Sequence, residues 1–222
     1  DNGHLAIGAM SRESQLEHSE LVQTQFPLLA DAAFVVADPL VRNMATVGGN
    51  IAHADPANDH PAVMLAYNAT VIAVGPNGQR EIAIDDFFTG LFENALADDE
   101  ILTEIRIPRP AAGHSGAYMK FERKVGDYAV SAAAIQMKLD GDTCIEARVG
   151  LTNVSAVPMR SFEAEKILIG NKLTSEVIEE AGRAVAAECD PAADLRGSVE
   201  YKRDITRVLL KRAINQAVER AQ

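Results

Sequence analysis

The sequence predicts an α+β fold, and three observations carry that reading. β-Branched and alternating runs return on themselves through turns of fixed chemistry, at Gly75-Pro76-Asn77-Gly78 and at Asp140-Gly141-Asp142-Thr143, which is the mark of antiparallel hairpins. Helical segments gather at the two ends of the chain, over 11–33 and 161–221. Strands and helices therefore come in blocks and do not alternate singly, as antiparallel sheets with helices packed on them require.

Taken in order, Leu5-Ala6-Ile7-Gly8 reads as a short buried strand. Ser11, with Ser14 and Glu17 behind it, reads as a capped helix opening. The helical pattern runs on from Leu21 to Ala33, with Pro27 starting a new helix because proline suits a first turn. Ala62–Ala69 is a short helix, and Thr70–Val74 with Arg80–Ile84 is the first hairpin. Asp85-Asp86-Phe87-Phe88-Thr89-Gly90 follows, with its two phenylalanines read as core. Asp99–Pro108 alternates apolar and polar residues and closes on proline, a half-buried strand. Pro108–Gly113 is a linker. Gly116–Lys124, Ala129–Leu139 and Cys144–Leu151 make three antiparallel strands. Helices follow over Ser161–Ile169, from Thr174 to about Ala187, and over Ser198–Ala221. They read as a small bundle on the sheet, with Gly170 as a helix stop and the glutamates after Thr174 at the positive end of a helix dipole.

With 222 residues and 47% hydrophobic content the chain can bury a substantial core. A net charge of -11 and the absence of Trp exclude a basic nucleic-acid binder and an aromatic stacking platform. No apolar run is long enough to cross a membrane. Cys144 and Cys189 are far apart in sequence and read as ordinary thiols. Two cysteines cannot hold a four-cysteine iron–sulfur cluster.

The chemistry concentrates in Val41–Pro61. Thr46 and Asn50 flank Gly48-Gly49, whose missing side chains let a ligand approach the backbone. Successive amides in such a turn can form an anion cradle, so a phosphate is the natural guest. Asp55-Pro56 and Asp59-His60-Pro61 read as turns. His53, Asp55, Asp59 and His60 are also possible ligands of a hydrolytic zinc, which needs three protein ligands and an open position. The paired spacing usual for such ligands is missing, and His4, His18 and His114 fall in no ligand pattern.

The full pattern, Arg-Asn-x-x-Thr-x-Gly-Gly-Asn followed by Ala-Asp-Pro-x-x-Asp-x-Pro, resembles the FAD-binding medium-subunit family of the molybdenum hydroxylases, which includes carbon monoxide dehydrogenase and xanthine dehydrogenase. Lys120-x-x-Arg123-Lys124-x-Gly126-Asp127-Tyr128-Ala129 is a second signature, closer to the carbon monoxide dehydrogenase branch. The resemblance implies that Thr46, Val47, Gly48, Gly49 and Asn50 lie against FAD and that Asp59 hydrogen-bonds its ribityl chain. It places backbone at Ile101 or Leu102 near the flavin ring, although core packing explains those two side chains equally well. It sets Lys120 beside the cofactor and Tyr128 beside the isoalloxazine; Arg123 and Lys124 read as a solvated edge.

The same resemblance implies that residues 1–110 are the later part of a PCMH-type (vanillyl-alcohol oxidase-like) FAD-binding domain and that 111–222 are a C-terminal sheet-plus-helices domain. An earlier glycine-rich loop of the family pattern is not among these residues, so the chain is read as a fragment, a processed form or one piece of a split subunit. The implied partners are a large subunit with the molybdenum cofactor and a small subunit with [2Fe–2S] clusters, in a heterotrimer whose dimerisation stays open. The implied setting is cytoplasmic, with peripheral contact at the inner membrane face through the complex also open. Two other functions are weighed against this one: a flavin-free docking remnant of such a subunit, and a metal-dependent hydrolase.

Overall fold

The computed structural model describes residues 3–221. The chain runs β1 (His4–Gly8), α1 (Glu13–Glu17), α2 (Glu20–Gln25), α3 (Pro27–Val35), α4 (Pro39–Arg42), α5 (Val47–His53) and α6 (Asp59–Tyr67). It continues with β2 (Thr70–Gly75), β3 (Gly78–Ala83), a 3-10 turn at Ile84–Asp86, β4 (Phe88–Gly90), β5 (Glu93–Asn94) and β6 (Ile101–Pro108). The remainder is β7 (His114–Glu122), β8 (Ala129–Asp140), β9 (Thr143–Thr152), β10 (Met159–Arg160), α7 (Phe162–Leu168), α8 (Ser175–Glu188) and α9 (Val199–Ala221).

The first sheet has four strands in the order β1-β6-β2-β3, all antiparallel. Its β2–β3 hairpin closes with Gly75 paired to Gly78, and Gly78 sits at φ 106°, a conformation that glycine alone takes without strain. The second sheet has four strands in the order β10-β9-β8-β7. The three long strands are those read from the sequence. The fourth, β10, has only two residues and lies beyond what strand periodicity can show.

Strand β8 sits in the middle of the second sheet and is buried on both faces. Ala132 and Ala134 point into the core shared with α3 and α6, while Ala133, Ile135 and Met137 point into the core under α7, α8 and α9. A strand covered on both sides loses the apolar–polar alternation, which is why Ala129–Leu139 reads as one small apolar run. Against it, α6 lies so close to β9 that a Cβ on Gly150 would overlap the Ala62 carbonyl.

Two helix openings differ from the sequence reading. Ser11 does not cap α1: the helix starts at Glu13, and the Arg12 amide donates to the Gln15 side chain at 2.8 Å. Helix α6 begins at Asp59, three residues before the expected Ala62, so Asp59-His60-Pro61 is a helix first turn and not a separate turn. Proline is tolerated there because first-turn amides have no partner within the helix. Phe87 is fully buried, whereas Phe88 is only half-buried against the same core. Among the described residues no helix is long and apolar enough to cross a membrane.

Candidate functional site

A cleft of about 560 Å³ opens between the start of α5, the turn after α3, the N-terminus of α6 and the β7–β8 turn. Thr46, Gly49 and Asn50 form one wall. Val36 and Ala37 form the back, Asp59 the floor, and Asp127 with Tyr128 the opposite wall. The elements that meet here come from both halves of the sequence, and each is fixed by its own local chemistry.

Helix α5 starts where Thr46 leaves the extended region and its hydroxyl accepts the Gly49 amide at 3.2 Å. Gly48 and Gly49 are therefore helical, with no positive φ, and the expected glycine turn is the first turn of a helix. Their lack of side chains serves closeness instead. A Cβ on Gly48 would stand 2.6 Å from the Ala9 backbone, and one on Gly49 2.8 Å from the Thr46 hydroxyl.

The expected phosphate cradle is absent. The amides of Val47, Gly48 and Asn50 donate to the carbonyls of Ser11, Ala9 and Thr46, and the Gly49 amide is taken by the Thr46 hydroxyl. An N–H already spent on a carbonyl has nothing left for an anion. What the turn offers a ligand is the Thr46 hydroxyl proton and the Asn50 carboxamide, whose Oδ1 is buried with no partner.

Under the cleft lies a polar chain. Asp59 accepts the Tyr118 hydroxyl at 2.6 Å and the Lys120 ammonium at 3.0 Å. Lys120 also donates to the Val35 carbonyl at 3.0 Å, and its ammonium lies 3.2 Å from a Glu122 carboxylate oxygen as an ion pair without a hydrogen bond. Burial holds the Asp59 carboxyl above its ordinary range, against the pull of Lys120 and Tyr118 toward ionisation. Burial and the neighbouring Asp59 carboxylate together raise the Tyr118 phenol well above its usual range, so it is neutral and donates.

Beside this chain, His60 meets Glu13 at 2.6 Å, and both side chains are wholly buried. Burial pulls the imidazole down, the Glu13 carboxylate pushes it up, and the net shift is upward. The pair fastens α1 to α6. The side chains of the zinc reading take separate partners, with His53 3.9 Å from Asp55. His60 faces Glu13, Asp59 faces Tyr118 and Lys120, and His53 stands half-exposed against the Phe92 ring. Among the described residues no three His, Cys, Asp or Glu side chains gather as a metal set.

The sequence-derived candidates thus separate. Thr46, Gly49, Asn50, Asp59 and Tyr128 line the cleft. Val47 and Gly48 are buried behind it. Lys120 reaches it only through Asp59, and Leu102 is buried in the first core while Ile101 lies exposed at the start of β6. Arg42, which opens the signature, supports the cleft from behind. Its guanidinium donates to the carbonyls of Val36 and Ala37 at 3.0 and 2.9 Å and pairs with Glu17 at 2.7 Å. It thereby holds the back wall, where Ala37 takes a φ of 48° that alanine seldom adopts. A lone arginine beside a short helix gave no sign of this, because its partners lie in residues 17, 36 and 37.

Residues 1–110 match the family model described as "FAD binding domain in molybdopterin dehydrogenase", and residues 116–217 match "CO dehydrogenase flavoprotein C-terminal domain". The carbon monoxide dehydrogenase medium chain of Hydrogenophaga pseudoflava is 43% identical over 213 residues, covering 96% of this chain and 74% of that one. This chain belongs to the FAD-binding medium subunits of the molybdenum hydroxylases, carbon monoxide dehydrogenase type. The solved carbon monoxide dehydrogenase of the same organism superposes with a TM-score of 0.97 at 44% identity, over 99% of this chain and 77% of that one. The glyceraldehyde dehydrogenase medium chain of Sulfolobus acidocaldarius is 34% identical over 96% of this chain and 75% of its own length.

The cleft fits the flavin end of the family's cofactor. A flat heteroaromatic ring with N–H groups needs an acceptor, and Asn50 Oδ1 is a buried acceptor without a partner. A ring also needs an approach free of side chains, which Gly49 provides. A ribityl chain needs a group that accepts from hydroxyls, which Asp59 supplies.

Proposed function

We propose that this chain is the electron-transfer subunit of a molybdenum hydroxylase. It passes electrons from [2Fe–2S] clusters of a small partner subunit, by way of FAD, to an external acceptor. The observation that carries the reading is one cleft that joins the Thr46–Asn50 turn, Asp59 and Tyr128 in a chain of this family. When bound, FAD supplies one- and two-electron chemistry, and the protein's part is to place and tune it.

Each residue has a task within that reading. Thr46 donates its hydroxyl proton to the cofactor, and Asn50 accepts through Oδ1. Asp59 accepts from a ribityl hydroxyl while Lys120 and Tyr118 hold it in place. Tyr128, 46% exposed at the cleft mouth, offers its ring as a stacking face and shields the site from water. The proposed contact set is Thr46, Gly49, Asn50, Asp59 and Tyr128.

The proposal extends to the assembly: a large subunit carrying the molybdenum cofactor and a small iron–sulfur subunit, joined with this chain in a cytoplasmic heterotrimer. Substrate is oxidised on the large subunit. The support is the naming of relatives at 34–43% identity as medium chains of dehydrogenases. Two domains meeting near residue 110 are part of the same reading, supported by the separate spans of the two family models.

The test is Asp59→Asn in the assembled complex. It removes the charge and weakens the hold on a ribityl hydroxyl, with a loss of roughly 1.5–3 kcal/mol for a charge-assisted hydrogen bond, or about tenfold or more in FAD affinity. Fluorescence titration of the apo-complex with FAD measures it. An unchanged dissociation constant would remove Asp59 from the site.

A further inference from the structure

The wall of the cleft that carries Tyr128 is the β7–β8 turn, and a second loop holds it from outside. Asp127 Oδ1 accepts the Tyr128 amide at 2.8 Å and the Arg196 guanidinium at 2.8 Å. The Arg196 guanidinium also lies over the Tyr128 ring, 5.7 Å from its centroid, within the range of a cation–π contact. Arg123, at the other end of the turn, donates to the Leu195 carbonyl at 2.9 Å.

The loop over 190–198 is itself built to hold Arg196 in one place. Asp194 accepts the amides of Arg196 and Gly197 at 2.8 and 3.1 Å through one oxygen and pairs with Lys202 at 2.8 Å through the other. Lys202 is buried in α9 and donates also to the Ala192 carbonyl at 3.0 Å. Burying a lysine is costly unless it is paired, so this loop carries an expensive anchor. Neither hydrophobic cluster draws a residue from 190–198, although Pro191 is buried and the Asp190 amide donates to the Val154 carbonyl at 2.9 Å.

We infer that Arg196 is a positioning residue for the cofactor cleft. Anchored through Asp194 and Lys202, it sets the rotamer of Tyr128 at the mouth, although it lies outside the cleft and some seventy positions away in sequence. The charge it needs is present at all working pH, because a guanidinium does not deprotonate. Asp127 stays ionised opposite it, its carboxyl held below the usual range first by the Arg196 hydrogen bond. The inference rests on the reading that Tyr128 faces the flavin ring.

The experiment uses the full-length subunit in its complex, loaded with FAD. It compares the wild type with Arg196→Ala, Arg196→Lys and Tyr128→Leu by flavin fluorescence and FAD titration. A stacked tyrosine quenches flavin emission, so Tyr128→Leu brightens the bound flavin. Arg196→Ala brightens it in the same sense and weakens FAD binding by about fivefold, the factor for losing a partly exposed cation–π contact. Arg196→Lys, which keeps a cation against Asp127 and the ring, restores most of the quenching, and a general loosening of the loop would not be rescued this way. If Arg196→Ala keeps wild-type quenching while Tyr128→Leu loses it, the inference is overturned and the flavin reading stands. If Tyr128→Leu changes nothing, the placing of Tyr128 at the ring fails and the inference falls with it.

Discussion

Gly48 and Gly49 are neighbours with separate duties. Gly48 is buried, and any side chain would meet the Ala9 backbone, which cannot swing away. Gly48→Ala should cost about 1–3 kcal/mol by overpacking, read as a lower thermal midpoint. Gly49 faces the cleft, and the atom nearest its absent Cβ is the Thr46 hydroxyl, the end of a side chain that can rotate. A valine there should leave the fold standing and fill the cofactor's place. Arg42 is a third case. Arg42→Ala leaves Glu17 without its cation and two carbonyls without a donor, so it should destabilise by about 3 kcal/mol and loosen the back wall. A denaturant titration with an unshifted midpoint would contradict this.

At the scale of elements, α6 shows what sequence reading catches and misses. Its apolar run was legible, but its true start was hidden because Asp59-His60-Pro61 has the composition of a turn. The structure spends that composition on burial instead, with Asp59 over Tyr118 and His60 against Glu13. Such pairings join residues 47 and 59 positions apart, which no local pattern displays. The hairpins, by contrast, were legible as hairpins, with strand ends off by up to two residues, because their turn chemistry is local. The α1–α6 contact gives a pH prediction. The folded His60 imidazole lies above 6.5, its ordinary value, so the folded state binds that proton more tightly than the unfolded chain. The stabilisation is whole below 6.5 and is lost as pH rises through the raised value. Asp59, also raised, acts in the same direction. The urea midpoint should therefore fall as pH climbs from 6.5, and His60→Gln should flatten the slope. A wild-type midpoint that rises over this range would refute the assignment.

At the scale of the molecule, the family and the α+β architecture could be read from two spaced signatures and the order of hairpins and helices. The site could be read only in part. Thr46, Asn50, Asp59 and Tyr128 line one cleft, whereas Lys120 lies beneath Asp59 and the amides that should have cradled a phosphate are used inside the chain. Sequence spacing names the residues of a site but not which hydrogen bonds are already spent. Both cysteines confirm the plainer reading: burial lifts the Cys144 thiol to about 11 and the Cys189 thiol to about 12, so neither is a ready nucleophile.

The most direct test of the cleft as the flavin site is the visible absorbance of the full-length subunit, purified in its complex and desalted, as wild type and as Gly49→Val. The wild type should keep stoichiometric flavin. Gly49→Val should emerge colourless with unchanged circular dichroism and a thermal midpoint lowered only by the loss of the Thr46 cap, about 1 kcal/mol. A Gly49→Val complex that retains the wild-type flavin content would contradict the account, because the cofactor could not then lie against the start of α5.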